Sequence, residues 1–137
     1  MTEHLFIESG AAQICKHGEI LCGDSLSVSP IDDGKLMVLS DGLGSGVKAN
    51  ILATLTTKIA LRLMERGLPL EEVVSTLTDT LPECKVRKIA YSTFTLLKVL
   101  EDGRVYLAEF DNPPTFFLKR GYNSQLKYRD RIIGTRT

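Results

Sequence analysis

The residues best placed to do chemistry are two acids, Asp24 and Asp41, each at the margin of an apolar run. Asp41 lies in Leu36-Met37-Val38-Leu39-Ser40-Asp41-Gly42-Leu43-Gly44-Ser45-Gly46, where a short apolar stretch stops at the acid and enters a glycine-rich turn. A carboxylate held at the rigid end of a strand can bind a metal ion, and the glycines after it let backbone groups approach a ligand. A plain strand-turn-helix connection, with Asp41 as a helix-start acid, explains the local pattern equally well. Asp24 enters through a geometric argument. Folding the chain back about Asp32-Asp33-Gly34, an Asp-Gly hairpin signal, brings Asp24 within about two residues of Asp41. Opposed positions on paired strands have Cβ atoms roughly 5 Å apart, and diagonal ones roughly 7–8 Å. Two carboxylates that close repel unless a cation or a proton sits between them. Two solvated strand-end acids are the alternative.

Other chemistries are poorly supplied. His4 and His17 are the only histidines, and both fall in the first segment, so a metal site would have to be built from carboxylates. Gly42-x-Gly44-x-Gly46 lacks the Gly-Lys-Ser/Thr ending of a P-loop and the G-x-G-x-x-G spacing of a dinucleotide fold. Cys15, Cys22 and Cys84 are odd in number and form no Cys-x-x-Cys pair, which fits reduced thiols in a cytoplasmic protein. The 17 basic and 17 acidic side chains cancel, giving no electrostatic case for nucleic acid or an anionic membrane. No apolar run approaches the roughly 20 residues that span a bilayer, and the N-terminus lacks the pattern of a secretory signal.

The elements that must position the acids follow from periodicity. With 43% hydrophobic residues over 137, one domain with a real core is expected, with no boundary inside 1–137. Residues 5–16 read as a first strand broken by Ser9-Gly10, Ser25 to Val28 as a second and Leu36 to Ser40 as a third. Val47, Ile51, Leu55, Ile59 and Leu63, widened by Leu52 and Met64, predict a helix over 47–66 with that stripe on the sheet, ended by Gly67. A second helix opens at Leu68-Pro69 and stops at Pro82, with Leu70, Val73, Val74, Leu77 and Leu81 inward. Tyr91 to Leu100 and Arg104 to Phe110 predict a long hairpin. Thr115 to Lys119 and a weaker Gln125 to Tyr128 follow, about a turn at 120–123. Strands, two consecutive helices and more antiparallel strands give an α+β class with helices on a sheet face.

Taken together, these motifs resemble a known family. Cys22-Gly23-Asp24-Ser25, the hairpin, Leu39-Ser40-Asp41-Gly42-Leu43-Gly44-Ser45-Gly46-Val47-Lys48-Ala49, the helix pair, Tyr91-Ser92-Thr93-Phe94 and Asn112-Pro113-Pro114-Thr115-Phe116-Phe117-Leu118-Lys119-Arg120-Gly121 resemble the SpoIIE-like branch of the PP2C (PPM) metal-dependent serine/threonine phosphatases. The resemblance runs from about Ala11 to Gly134. It implies a PP2C-like antiparallel β-sandwich flanked by helix pairs. It also implies a two-metal site using Mn²⁺ or Mg²⁺ to activate water against a phosphoserine or phosphothreonine ester. By the same resemblance Asp41 is the acid that bridges the two metals, the Gly42 carbonyl is a ligand, and Asp24 serves the second position. The substrate it implies is a phosphorylated bacterial regulatory protein, typically a small anti-sigma-factor-antagonist domain. The family's later metal-binding aspartates have no counterpart before Thr137, and Thr95 stands where relatives often carry an acid. The expectation is a domain cut short before its last strands. Such a chain should bind Mn²⁺ weakly, show little or no phosphatase activity, and self-associate along an uncovered apolar sheet edge. The alternative is a catalytically incomplete PP2C-like binding module.

Overall fold

The computed structural model describes residues 4–127 apart from 16, 19, 43–45, 81–82, 85–88 and 91. Asp32-Asp33 reverses the chain between β1 (Asp24–Ile31) and β2 (Gly34–Gly42), the hairpin the Asp-Gly signal predicts. Helix α1 (Gly46–Glu65) and helix α2 (Leu70–Thr80) follow, then the two-residue strands β3 (Glu83–Cys84) and β4 (Ile89–Ala90). β5 (Ser92–Leu100) and β6 (Val105–Phe110) form the long hairpin, and β7 (Phe117–Lys119) and β8 (Tyr122–Ser124) a small one. β1, β2, β5 and β6 make one antiparallel sheet in the order β1-β2-β5-β6; β3–β4 and β7–β8 are separate two-stranded ribbons.

Side chains alternate across a strand, so each strand divides its residues between the two faces. Leu36, Val38, Ser40 and Gly42 of β2, with Ser92, Phe94, Leu96 and Leu100 of β5, are buried on the face carrying the helices. There Leu36, Val38, Phe94 and Leu96 pack with Ala60, Met64, Val73, Val74 and Leu77 in one core. Phe94 stacks on Phe110 with ring centroids 5.0 Å apart. Asp24, Leu26, Val28, Met37, Leu39, Asp41, Thr93, Thr95 and Leu97 point the other way. Leu26, Val28 and Leu39 on that outer face remain substantially exposed.

The buried face of α1 differs from the one its apolar spacing predicts. Leu52 and Met64 are inside and Ile59 and Leu63 pack at the margin, but Val47 is 61% exposed, Ile51 57% and Leu55 45%. The face that meets the sheet is Ala49, Ala53, Thr56, Thr57 and Ala60. The cause is proximity. A Cβ on Gly42 would collide with the backbone of Ala49, so the first turn of α1 lies directly on the end of β2. Small residues alone fit at that separation. β1 answers with serines, and Ser25 Oγ lies 3.0 Å from Thr57 Oγ1. The helix ends as expected: Gly67 adopts φ 83°, and its N–H and that of Leu68 bond back to the Met64 and Leu63 carbonyls.

Four further expectations are corrected. Described residues in 5–15 form no regular strand; Leu5, Phe6 and Ile14 are exposed, and the stretch is held by isolated bonds such as Leu5 N–H to the Glu101 carbonyl (2.7 Å). Strand geometry needs a ladder partner, and none pairs with it among the described residues. The last turn is tighter than 120–123: Arg120 (φ 53°) and Gly121 (φ 80°) alone reverse β7 into β8, as a two-residue turn with both φ positive requires. Gln125 to Lys127 carry no strand, and Tyr128 lies outside the described residues. Finally, Cys15 and Cys22 are not free thiols but are joined in a disulfide.

Candidate metal centre

β1 and β2 bring the two acids to the same end of the sheet. Asp24 is the first residue of β1 and lies directly opposite Asp41, the penultimate residue of β2. Reflection about the turn predicts them within about two residues of register; the observed pairing is face to face. Both project from the sheet face that the helices leave open. Gly42, the next residue, closes β2 on the helix side, where it is buried and its N–H donates to the Gly23 carbonyl at 2.8 Å. All three predicted site residues are thus gathered at one end of the sheet, where β1 begins and β2 ends.

The electrostatics match this crowding. The Asp41 carboxyl is raised from 3.8 to about 6. Protein packed around it contributes most, followed by its side-chain hydrogen bond with Asp24 and then the Asp24 charge. A carboxyl whose ionisation is resisted by a second carboxyl attracts whatever neutralises the pair, a proton at low pH or a cation above it. All-oxygen donors of this kind suit hard divalent ions such as Mn²⁺ or Mg²⁺. The donor set fits a divalent ion, but incompletely. Among the described residues no group of three or more His, Cys, Asp or Glu side chains gathers in a metal-binding cluster.

Spacing along the chain did not reveal the scaffold behind Asp41. Thr93 pairs with Asp41 across β2–β5, and its hydroxyl lies 3.5 Å from the Asp41 carbonyl while donating to Asn112 Oδ1. Asn112 Nδ2 in turn donates to Thr95 Oγ1 at 2.8 Å. Asn112 therefore bridges two threonines on the outer face of β5 and pins the Pro113-Pro114 corner beside the acids. Thr95 serves as the second anchor of that bridge. On the helix side, the buried Ser40 hydroxyl donates to the Thr93 carbonyl at 2.7 Å and lies 2.5 Å from Ser92 Oγ. Such contacts join residues 52 and 53 apart, and no local motif announces them.

Comparison with known proteins bears on this arrangement. Residues 32–136 match the family model described as Stage II sporulation protein E (SpoIIE). The chain is 25% identical over 122 residues to the stage II sporulation protein E of Priestia megaterium, covering 88% of this chain and 20% of that protein. It is 29% identical over 122 residues to the protein of that name from Bacillus subtilis (strain 168), covering 88% of this chain and 14% of that one. The chain thus spans a fifth or less of these relatives. Among solved structures it superposes on the PP2C phosphatase domain of SpoIIE from Bacillus subtilis, solved with a fragment of its regulatory domain. The TM-score there is 0.66 at 23% identity, over 92% of this chain and 44% of that one. It also superposes on RsbX in complex with magnesium, with a TM-score of 0.53 at 18% identity, over 76% of this chain and 61% of that one. At these identities the superpositions establish a shared fold.

Proposed function

Since the chain belongs to the stage II sporulation protein E family, we propose that it forms part of a metal-dependent phosphoprotein phosphatase domain whose cation site is built on Asp24, Asp41 and the Gly42 carbonyl. The observation that carries this reading is the face-to-face pairing of Asp24 and Asp41, with the Asp41 carboxyl raised to about 6. The substrate class is a phosphoserine or phosphothreonine ester on a bacterial regulatory protein, an anti-sigma-factor antagonist by family resemblance. Magnesium is a natural candidate because RsbX was solved with it; Mn²⁺ satisfies the same oxygen donors. A divalent cation held there would polarise a phosphoryl oxygen and lower the pKa of water for in-line attack.

The chain's own residues have separable tasks in this scheme. Asp41 and Asp24 supply the negative charge that binds the cation from two strands. The Thr93–Asn112–Thr95 bridge ties the chain before the Pro113-Pro114 corner to β5, where Thr93 pairs with Asp41. The contact of Gly42 with Ala49 ties the site to the first turn of α1.

A second reading, a PP2C-like binding module without catalysis, is favoured by the absence of a third acidic ligand near the pair among the described residues. The two readings separate in one experiment. Hydrolysis of an aryl phosphate and of a phosphoserine peptide is measured against Mn²⁺, for this chain and for one extended to the length of the matched phosphatase domain. Activity in the extended chain that Asp41→Asn abolishes without unfolding it supports the phosphatase. Wild-type turnover of that variant at saturating Mn²⁺ rejects the assignment.

A further inference from the structure

The corner that delivers Asp24 is fastened in an unusual way. Three successive carbonyls are each taken by a different part of the molecule. The Cys22 carbonyl accepts from Asn50 Nδ2 of α1 at 2.9 Å, that of Gly23 from the Gly42 N–H of β2 at 2.8 Å, and that of Asp24 from Gln13 Nε2 at 2.7 Å. Gln13 belongs to the exposed N-terminal stretch, which has no ladder of its own. Two residues on, Cys15 is joined to Cys22, with Cα atoms 4.7 Å apart and a sequence separation of 7. One covalent and one hydrogen-bonded tie therefore clamp the same stretch to both ends of the Cys22-Gly23-Asp24 corner.

We propose that Cys15 and Cys22 form a thiol–disulfide exchange site, whose closure by a small-molecule disulfide locks the corner carrying Asp24 against the end of β2. Cys15 is exposed and Cys22 half-buried, so Cys15 is the sulfur that an external disulfide reaches. The Cys15 thiolate attacks one sulfur of the small disulfide, forming a mixed disulfide and releasing one thiol. The Cys22 thiolate then attacks the Cys15 sulfur, closing the intramolecular bond and expelling the second thiol. The protein dithiol is oxidised, the small disulfide is reduced to two thiols, and two protons pass from the cysteines to those thiols. In the open form the Gln13 hydrogen bond is the one remaining tie from the N-terminal stretch to the corner among the described residues, and the Gly23–Gly42 bond next to the acids opens more often.

The test uses the whole chain in a Cys84→Ser background, so that only this pair can close. The reduced protein is treated with oxidised glutathione and read by mass and by thiol count. The expected product has lost two hydrogens and carries no adduct. A protein that keeps free thiols, or stalls as the glutathione mixed disulfide, overturns the exchange site. Amide hydrogen exchange then reads the corner in both forms. Gly42 N–H is expected to exchange about tenfold more slowly in the closed form. Leu100 N–H, which donates to the Arg104 carbonyl at the far end of β5, is expected to keep its rate. An unchanged Gly42 rate, or equal slowing at both amides, overturns the local lock. Cys15→Ser should match the open form with or without oxidant. Both readouts are taken on the protein without cation, so their failure would be distinct from failure of the metal-site reading.

Discussion

Asp41→Asn should make the cation-free protein more stable while destroying its response to divalent ions. The Asp41 carboxyl moves from 3.8 to about 6 on folding, so the folded protein holds this proton more tightly than the unfolded chain does. That preference favours folding fully below about pH 4 and is lost as the pH rises through about 6. Above that, the charge repelled by Asp24 and by desolvation opposes folding. A rise of about two units corresponds to at most about 3 kcal/mol at 1.36 kcal/mol per unit. Asp41 is an exposed side chain, so solvent screening reduces the figure to about 1 kcal/mol. Asparagine resembles the protonated acid in shape and neutrality. Thermal melts without metal should therefore be level for wild type and Asp41→Asn near pH 4, and at pH 8 the variant should melt about 3–5 °C higher. Adding Mn²⁺ at pH 8 should raise the wild type and leave the variant unmoved, since only a ligand-binding native state gains from mass action. A variant that melts lower than wild type at pH 8 without metal would refute the account of a strained acid pair.

Gly42→Ala should destabilise by about 1–3 kcal/mol in a urea melt, because the new methyl meets the backbone of Ala49 and not a movable side chain. Ser40→Ala removes the buried donor to the Thr93 carbonyl and should cost about 1–2 kcal/mol in the same assay; no change would mean that Ser92 takes over the bond. Ile51→Ser should stay within about 0.5 kcal/mol of wild type, since Ile51 is 57% exposed; a loss of several kcal/mol would return the apolar stripe of α1 to the core. The exposed Leu26, Val28 and Leu39 on the outer sheet face should drive concentration-dependent self-association, which sedimentation would detect. A clean monomer at high concentration would count against it.

The acid pair was legible from sequence because a hairpin converts a local turn signal into a long-range distance. Once Asp32-Asp33-Gly34 is recognised, the register of β1 against β2 follows by counting, and Asp24 falls beside Asp41 without knowledge of the rest of the fold. The face of α1 was not legible in this way. Periodicity predicts which residues share a face but takes the largest to be inside, and here the close approach of Gly42 to Ala49 selects alanines and threonines for the interface. The N-terminal stretch misled for a related reason. Its short apolar runs suit a strand, but a strand exists only by pairing, and composition cannot report whether a partner is present. The Cys15–Cys22 bond escaped because an odd count argues about the whole chain, whereas pairing depends on two backbones meeting. Asn112 had no signal at all: its bonds reach Thr93 and Thr95, 19 and 17 residues back, through a corner whose prolines explain the turn but not its destination.

The contact between Gly42 and Ala49 also acts as a proofreader of assembly. A hairpin that slips by one residue moves every side chain to the opposite face of its sheet. In β2 that error would turn Asp41 inward, to the point where α1 leaves no room even for a methyl group. It would also bury a carboxylate with no cation or donor to meet it. Docking of α1 is thus possible only on the hairpin that has counted correctly, and that hairpin is the one that sets Asp24 and Asp41 side by side.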